Sequence, residues 1–362
     1  MTPEQFKDEL QNEVRRIILP YWMFKACDMQ QGGYWGSIGA DGKVNKSAAK
    51  GSILHCRIMW SFSAAYGVFN EEALLNHADR ARNFIQNHLI QADNKRLGWH
   101  SKNLKSFENL DDECIAQAYW LYALSEYDIH ANQGACSDTT LEAWFNLQQL
   151  FKHKTFDVVS SETGYTWRTW LHIIEALDKF ASLSFRPDVI RCLTNLLDRT
   201  LELLNRHAQL NLNVPHLCAS SWLLIKWVTN WQPDKRSLAI KLACSMVDSA
   251  ISTGLDSNNG FCLTEQDKNQ YGWVQAEAML ACWRCYMETG EQKYLDQVLN
   301  SWAFIRQHIS DPVFGEWHWK SNGSTSTTDE KAGFWKCPYH NNRACLEIYN
   351  DLSEMGIKMW KQ

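Results

Sequence analysis

No stretch of the 362 residues approaches the ~18 consecutive apolar positions that a membrane-crossing helix needs. Concentrated positive charge is also missing. The 36 Lys and Arg residues are scattered among 41 Asp and Glu, for a net charge of -5. Phosphate binding needs a clustered basic surface, so nucleic acid is excluded as a partner. A neutral or weakly charged small molecule fits better. The opening segment, MTPEQFKDEL, lacks the apolar core of a secretory leader, and a cytoplasmic location is expected. No Pro/Gly/Ser-rich linker or shift in composition divides the chain, which predicts one domain over residues 1–362. Beside Cys282 and Cys285 there is no second Cys or His pair at zinc spacing. The 12 cysteines therefore read as free thiols buried as small hydrophobes, and no metal or redox cofactor is expected.

Aromatic residues are what the sequence has in excess: 18 Trp, 12 Tyr and 15 Phe. Their faces suit the C–H surface of a sugar ring, although most must fill a core. Strand signals are sparse, confined to short alternating pieces at 32–38 and 315–320. Helical periodicity dominates. It predicts segments near 3–18, 48–67, 71–88, 111–128, 138–152, 167–183, 187–206, 216–230, 234–252, 272–289, 291–308 and 340–356. Pro20 is expected to stop the first, and Asn70 to cap the third. The acidic run Asp111–Glu113 reads as a solvated helix start that complements the dipole. Long connections fall at 91–110, 153–166, 254–271 and 309–339. Alternating short and long loops predict helical hairpins in a ring, with inner helices apolar all round and outer ones half polar. Six hairpins close an (α/α)6 barrel, although the same pattern also allows an open solenoid.

The stretch AGFWKCPYHNNRACLE at 332–347 places Trp335, Tyr339, His340, Asn341 and Arg343 at the entrance to a helix. A histidine there is suited to acid–base work, since its unperturbed pKa lies near neutrality. The run Trp-Lys-Cys-Pro-Tyr-His-Asn-Asn-Arg resembles the C-terminal signature of N-acylglucosamine 2-epimerases, cellobiose 2-epimerases and mannose isomerases. DMQQGGYWG at 28–36, KGSILHCRIMWSFSAAY at 50–66, WVQAE at 273–277 and GEWHW at 315–319 resemble the same family in the same order. The resemblance implies an all-α (α/α)6 barrel that acts on a free reducing sugar without a cofactor. It implies proton transfer at C2 through a cis-enediolate. On that basis Arg57 steadies the enediolate oxygens, and His340 and His216 exchange the proton. His172 binds or helps open the sugar ring. Tyr34, Trp273, Trp335 and Tyr339 belong to the substrate pocket, and Glu277 anchors the local hydrogen bonds. A sugar is then the expected partner, with a homodimer allowed.

The sequence also departs from the family. Leu217 and Ala219 stand where the resemblance leads one to expect acids beside His216, although the spacing from His216 to Trp222 is kept. Asn213 or Ser220 are candidates to support that imidazole instead. Arg168 stands where Asn is usual, and Gly272 replaces a second Trp. These departures keep a second reading open, a sugar- or protein-binding relative with impaired catalysis. They also raise the weight of ketose formation by His340 alone. A glycoside hydrolase needs two carboxylates flanking the bond, and no such matched pair stands out.

Overall fold

Apolar residues recur at helical spacing along nearly the whole chain, and the computed structural model accordingly builds thirteen α-helices among the described residues, 1–151, 166–206, 212–264, 266–321 and 329–355. They are α1 (Pro3–Asn12), α2 (Leu19–Phe24), α3 (Ser52–Phe69), α4 (Glu72–His88), α5 (Leu110–Ala131), α6 (Asp138–Phe151) and α7 (Trp167–Ser184). The series continues with α8 (Pro187–Arg206), α9 (Val214–Trp231), α10 (Arg236–Gly254), α11 (Gly272–Thr289), α12 (Gln292–Phe304) and α13 (Tyr339–Met355). All but the short α2 coincide with segments read from periodicity. The connection expected at 153–166 lies, apart from Thr166, outside the described residues, as do the helix ends expected at 152 and 356.

Pro20 does not stop the first helical run, which continues to Phe24. A π-helical turn at Glu13–Ile18 precedes it, and the Leu19 N–H reaches back five residues to the Val14 carbonyl. That wider turn leaves room for a residue with no N–H. Asn70 does not cap α4 either. Its φ of 52° makes it the left-handed C-cap of α3, a conformation Asn tolerates, and Glu71 precedes α4.

The chain divides into two compact units. One comprises Ala26–Leu193 with Ala332–Tyr339, and in it α3 packs on α4 and α5, and α5 on α6 and α7. The other comprises Met1–Lys25, Thr194–Lys331 and His340–Gln362, and in it α9 packs on α10 and α11, and α11 on α10 and α12. Burial separates two kinds of helix. In α3 every residue from Ser52 to Ala65 is buried. In α4 only Leu74, Ala78, Ala81, Phe84 and Ile85 are, a single stripe, and α10 repeats it with Ala239, Ala243, Met246, Val247 and Ala250.

Both units use one loop design ahead of the buried helices. A β-bridge closes each loop: Cys27 with Tyr34, Ile90 with Leu97, Leu255 with Phe261, and Ser310 with Trp317. Inside, the second residue of the loop donates its N–H across it: Asp28 to Gly33 O, Gln91 to Arg96 O, Asp256 to Gly260 O and Asp311 to Glu316 O. Each turn passes through positive φ, at Gly32 (77°), Lys95 (59°), Asn259 (64°) and Gly315 (82°). Two of the loops carry a buried lysine clamp. Lys50 Nζ donates to Asp28 Oδ2 (2.6 Å) and Gly32 O (2.7 Å), and Lys331 Nζ to Asp311 Oδ2 (2.7 Å) and Gly315 O (2.9 Å).

A side chain from the following buried helix then seizes the last residue of the loop. Gln117 Oε1 accepts the Leu97 N–H (3.0 Å) while its Nε2 donates to Leu97 O (2.8 Å). Gln275 does the same to Phe261, at 2.8 and 2.7 Å. His55 takes this place for Tyr34: Nε2 accepts the Tyr34 N–H (3.1 Å), and Nδ1 donates to Gly51 O (2.8 Å). Acceptance at Nε2 requires the neutral ring, and complete burial pushes its pKa down to about 3, against the help of the Gly51 carbonyl. Unfolding frees this imidazole to take a proton below its ordinary value near 6.5. Folding stability is therefore expected to fall with pH below 6.5, by ~1.4 kcal/mol per unit from this group alone. His55→Gln, which places an amide where Gln117 and Gln275 carry theirs, should flatten that slope. Urea unfolding midpoints at pH 7, 6, 5 and 4 check it, and an unchanged slope would rule His55 out as its source.

Candidate active site

The loop clamps tie three buried helices to the loops before them, and each clamp stands two residues before a polar or charged side chain of functional interest. His55 precedes Arg57 on α3, Gln117 precedes Tyr119 on α5, and Gln275 precedes Glu277 on α11.

Arg57 is 4% exposed, yet no carboxylate pairs with it among the described residues. Its neighbours are neutral. Nη2 donates to the Tyr119 hydroxyl at 2.5 Å, and Nη1 makes long contacts to Trp335 O (3.4 Å) and Cys337 Sγ (3.8 Å). The guanidinium lies over the rings of Tyr119 (4.6 Å), Tyr339 (5.0 Å) and Trp335 (5.4 Å). Its buried Nε has no hydrogen-bond partner among the described residues. A desolvated cation with an idle donor is costly unless an anion completes it.

From Arg57 a chain of contacts runs through Tyr119. The hydroxyl lies 3.2 Å from both ring nitrogens of His172 on α7. His172 Nδ1 lies 3.1 Å from Glu175 Oε2, and Glu175 Oε1 accepts the Tyr339 hydroxyl at 2.8 Å. Burial pushes the His172 pKa below its ordinary value; Glu175 opposes this, and Arg57 and Arg168 add to the fall. His172 is thus neutral at pH 7, with Glu175 drawing the proton to Nδ1. Trp335, half-buried, stands beside this group under Arg57. Tyr34, in the same unit, is fully buried, its hydroxyl 3.0 Å from His77 Nδ1 and its ring stacked on Phe62.

A second group belongs to the other unit. His340 Nδ1 lies 2.6 Å from Glu277 Oε1, and the Trp273 ring lies 5.5 Å from the imidazole. The same Glu277 oxygen accepts Arg343 Nη2 (2.6 Å), and Oε2 accepts the Trp222 indole N–H (2.8 Å). Burial alone would raise this carboxyl, but Arg343, His340 and Trp222 outweigh it and hold it well below the usual carboxylate range. An ionised acceptor on Nδ1 fixes the tautomer and leaves the lone pair on Nε2. His216 sits half-buried in the first turn of α9, which packs on α11 and carries Trp222 six residues later. Asn213 serves as the N-cap of α9, its Oδ1 accepting the His216 backbone N–H at 3.1 Å.

Tyr119 and Glu175 were not among the residues singled out in the sequence. Glu175 follows His172 by three positions, one helical turn, which is a readable signal. Tyr119 is one of many aromatics in an apolar helix and offers none.

The family model described as N-acylglucosamine 2-epimerase (GlcNAc 2-epimerase) matches residues 213–344. A cellobiose 2-epimerase of Bacteroides fragilis is 28% identical, covering 96% of this chain and 100% of its own. A D-mannose isomerase of Marinomonas mediterranea is 25% identical over 91% of this chain and 94% of its own. Among solved structures, a cellobiose 2-epimerase from Bacillus thermoamylovorans superposes with a TM-score of 0.80 at 26% identity, covering 96% of this chain and 100% of that one. The likeness shows the fold class, an all-α (α/α)6 barrel.

Proposed function

We propose that the chain, similar to N-acylglucosamine 2-epimerases over residues 213–344 and to a cellobiose 2-epimerase over nearly its whole length, is a carbohydrate epimerase or isomerase that moves a proton at C2 of a free reducing sugar. One observation carries the reading: Arg57 is a buried cation with neutral partners and an unused N–H. Removing the proton next to an aldehyde puts negative charge on O1, beside the O2 hydroxyl, and a guanidinium offers fixed, paired donors for that pair of oxygens.

In the open-chain sugar an imidazole nitrogen takes the C2 proton. The C–H electrons form the C1–C2 double bond, and the carbonyl electrons move to O1. Arg57 holds the enediolate, and Tyr119, hydrogen-bonded between Arg57 and His172, couples it to a neutral imidazole. We assign the two proton-transfer roles to His340 and His216, and the handling of O1 or the ring oxygen to His172. Delivery of a proton by the second histidine to the opposite face of C2, with the C1 carbonyl re-formed, gives the epimer; return of the proton to C1, with the O2 hydroxyl proton passing to O1, gives the ketose. The Glu277 carboxylate on His340 supports a base of defined tautomer there. Leu217 and Ala219 follow His216 where acids are expected, which favours ketose formation over epimerisation.

Incubation with mannose, glucose, N-acetylmannosamine and cellobiose in D2O tests the reading. Deuterium should enter C2 of an epimer or C1 of a ketose with at least one of them. Absence of label from all four would sink it.

A further inference from the structure

Arg168 belongs to the same face of α7 as His172 and Glu175, four and seven positions before them. Its guanidinium carbon lies 5.4 Å from the centre of the Trp335 ring, the same distance as that of Arg57. The two cations therefore stand no further apart than twice that distance. Unlike Arg57, Arg168 is 43% exposed at its side chain, and its contact with Asp112 Oδ1 is a loose 3.7 Å, beyond hydrogen-bond length. Among the described residues none accepts a hydrogen bond from this guanidinium. Asp112 itself sits in the first turn of α5, where the helix terminus stabilises its charge without Arg168. An arginine set on an aromatic face has a fixed plane and keeps its edge donors for a ligand.

We propose that Arg168 is a specificity-determining residue for a sugar bearing an anionic group, carboxylate or phosphate, at the end of the chain distal to C1. This rests on the assignment of Arg57 to the C1–C2 oxygens. With those atoms at Arg57, the far end of an open six-carbon chain runs along Trp335 toward the second guanidinium. A neutral sugar leaves Arg168 with solvent, and an anionic one gives it a paired, charge-assisted contact.

Binding of unreactive open-chain analogues tests this apart from catalysis. Calorimetry at low salt would compare glucitol with glucitol 6-phosphate and L-gulonate, the reduced forms of glucose, glucose 6-phosphate and glucuronate. The wild-type protein should bind one or both anions about 10–100-fold more tightly than glucitol. The stronger of the two identifies phosphate or carboxylate. Arg168→Gln should remove most of that preference, and Asp112→Asn, which keeps the cation, should retain it. The kcat/KM ratio of the matching aldoses should move in parallel. Equal binding of all three by the wild type, or a preference that survives Arg168→Gln, overturns the proposal. If no aldose is turned over, the function proposed above fails, while the binding comparison still decides this one.

Discussion

Glu277→Gln is expected to lower kcat about 10³–10⁴-fold, the scale on which an imidazole loses its rate when the carboxylate that fixes it is made neutral. The amide keeps the shape but can turn its NH2 toward Nδ1, which favours the wrong tautomer. A second cost falls on stability. Arg343 is 3% exposed and donates to the same oxygen as His340. Stripping the charge takes a carboxylate partner from that buried guanidinium, and breaking such a pair costs about 3–5 kcal/mol. The two effects separate by measurement. Urea unfolding reads the second, and it has a sign in pH. The Glu277 carboxyl is held below its ordinary 4.5 in the fold, so its stabilisation is present above that value and lost as pH falls beneath it. The Gln variant should lack that part of the acid-side loss. The first effect is read by a cycle with His340→Ala. If Glu277 acts through His340, the double variant is no slower than His340→Ala alone. Multiplying losses would instead give Glu277 a role independent of His340.

The reach of the sequence can be judged from these same residues. Helices α3 to α13 announce themselves by period, because a helix that must bury one face or all of them leaves that record in its apolar positions. Arg57, His172, Glu277 and His340 stand out in the sequence because neighbouring residues resemble a family pattern. Their partnerships do not. Nothing local says that Glu277 reaches His340, sixty-three positions later, or that Tyr119 bridges Arg57 and His172. The loop repeat escaped for another reason. Its geometry is built by different residues each time: Gly32, Lys95, Asn259 and Gly315 at the left-handed turn, and His55, Gln117 and Gln275 as clamps. Backbone hydrogen bonds are preserved while the side chains that permit them vary, so residue-level self-similarity is lost. Tyr34 illustrates the opposite hazard. It sits in a motif shared with the family, yet its full burial against His77 and Phe62 gives it a packing task that a pocket aromatic would spell identically.

Arg57→Met should separate function from stability in one substitution. The apolar side chain fills much of the same volume among Tyr119, Trp335 and Tyr339 but has no donor for an enediolate. Losing one preorganised donor to a developing oxyanion commonly costs about 10²–10³-fold in kcat. Here the cation that holds the Tyr119 hydroxyl goes with it, so a loss of about 10³-fold or more is expected. Stability should move the other way. Arg57 has no carboxylate to balance it among the described residues, and replacing buried charges with well-packed apolar groups is neutral or stabilising by about 1–4 kcal/mol. A raised unfolding midpoint together with lost D2O exchange is the expected pair of results. A lowered midpoint with exchange intact would mean that the guanidinium holds the aromatic cluster together rather than waiting for an anion. Arg57→Lys refines the point, because it keeps a charge but not the fork. If planar, paired donors matter, lysine should recover little of the lost rate.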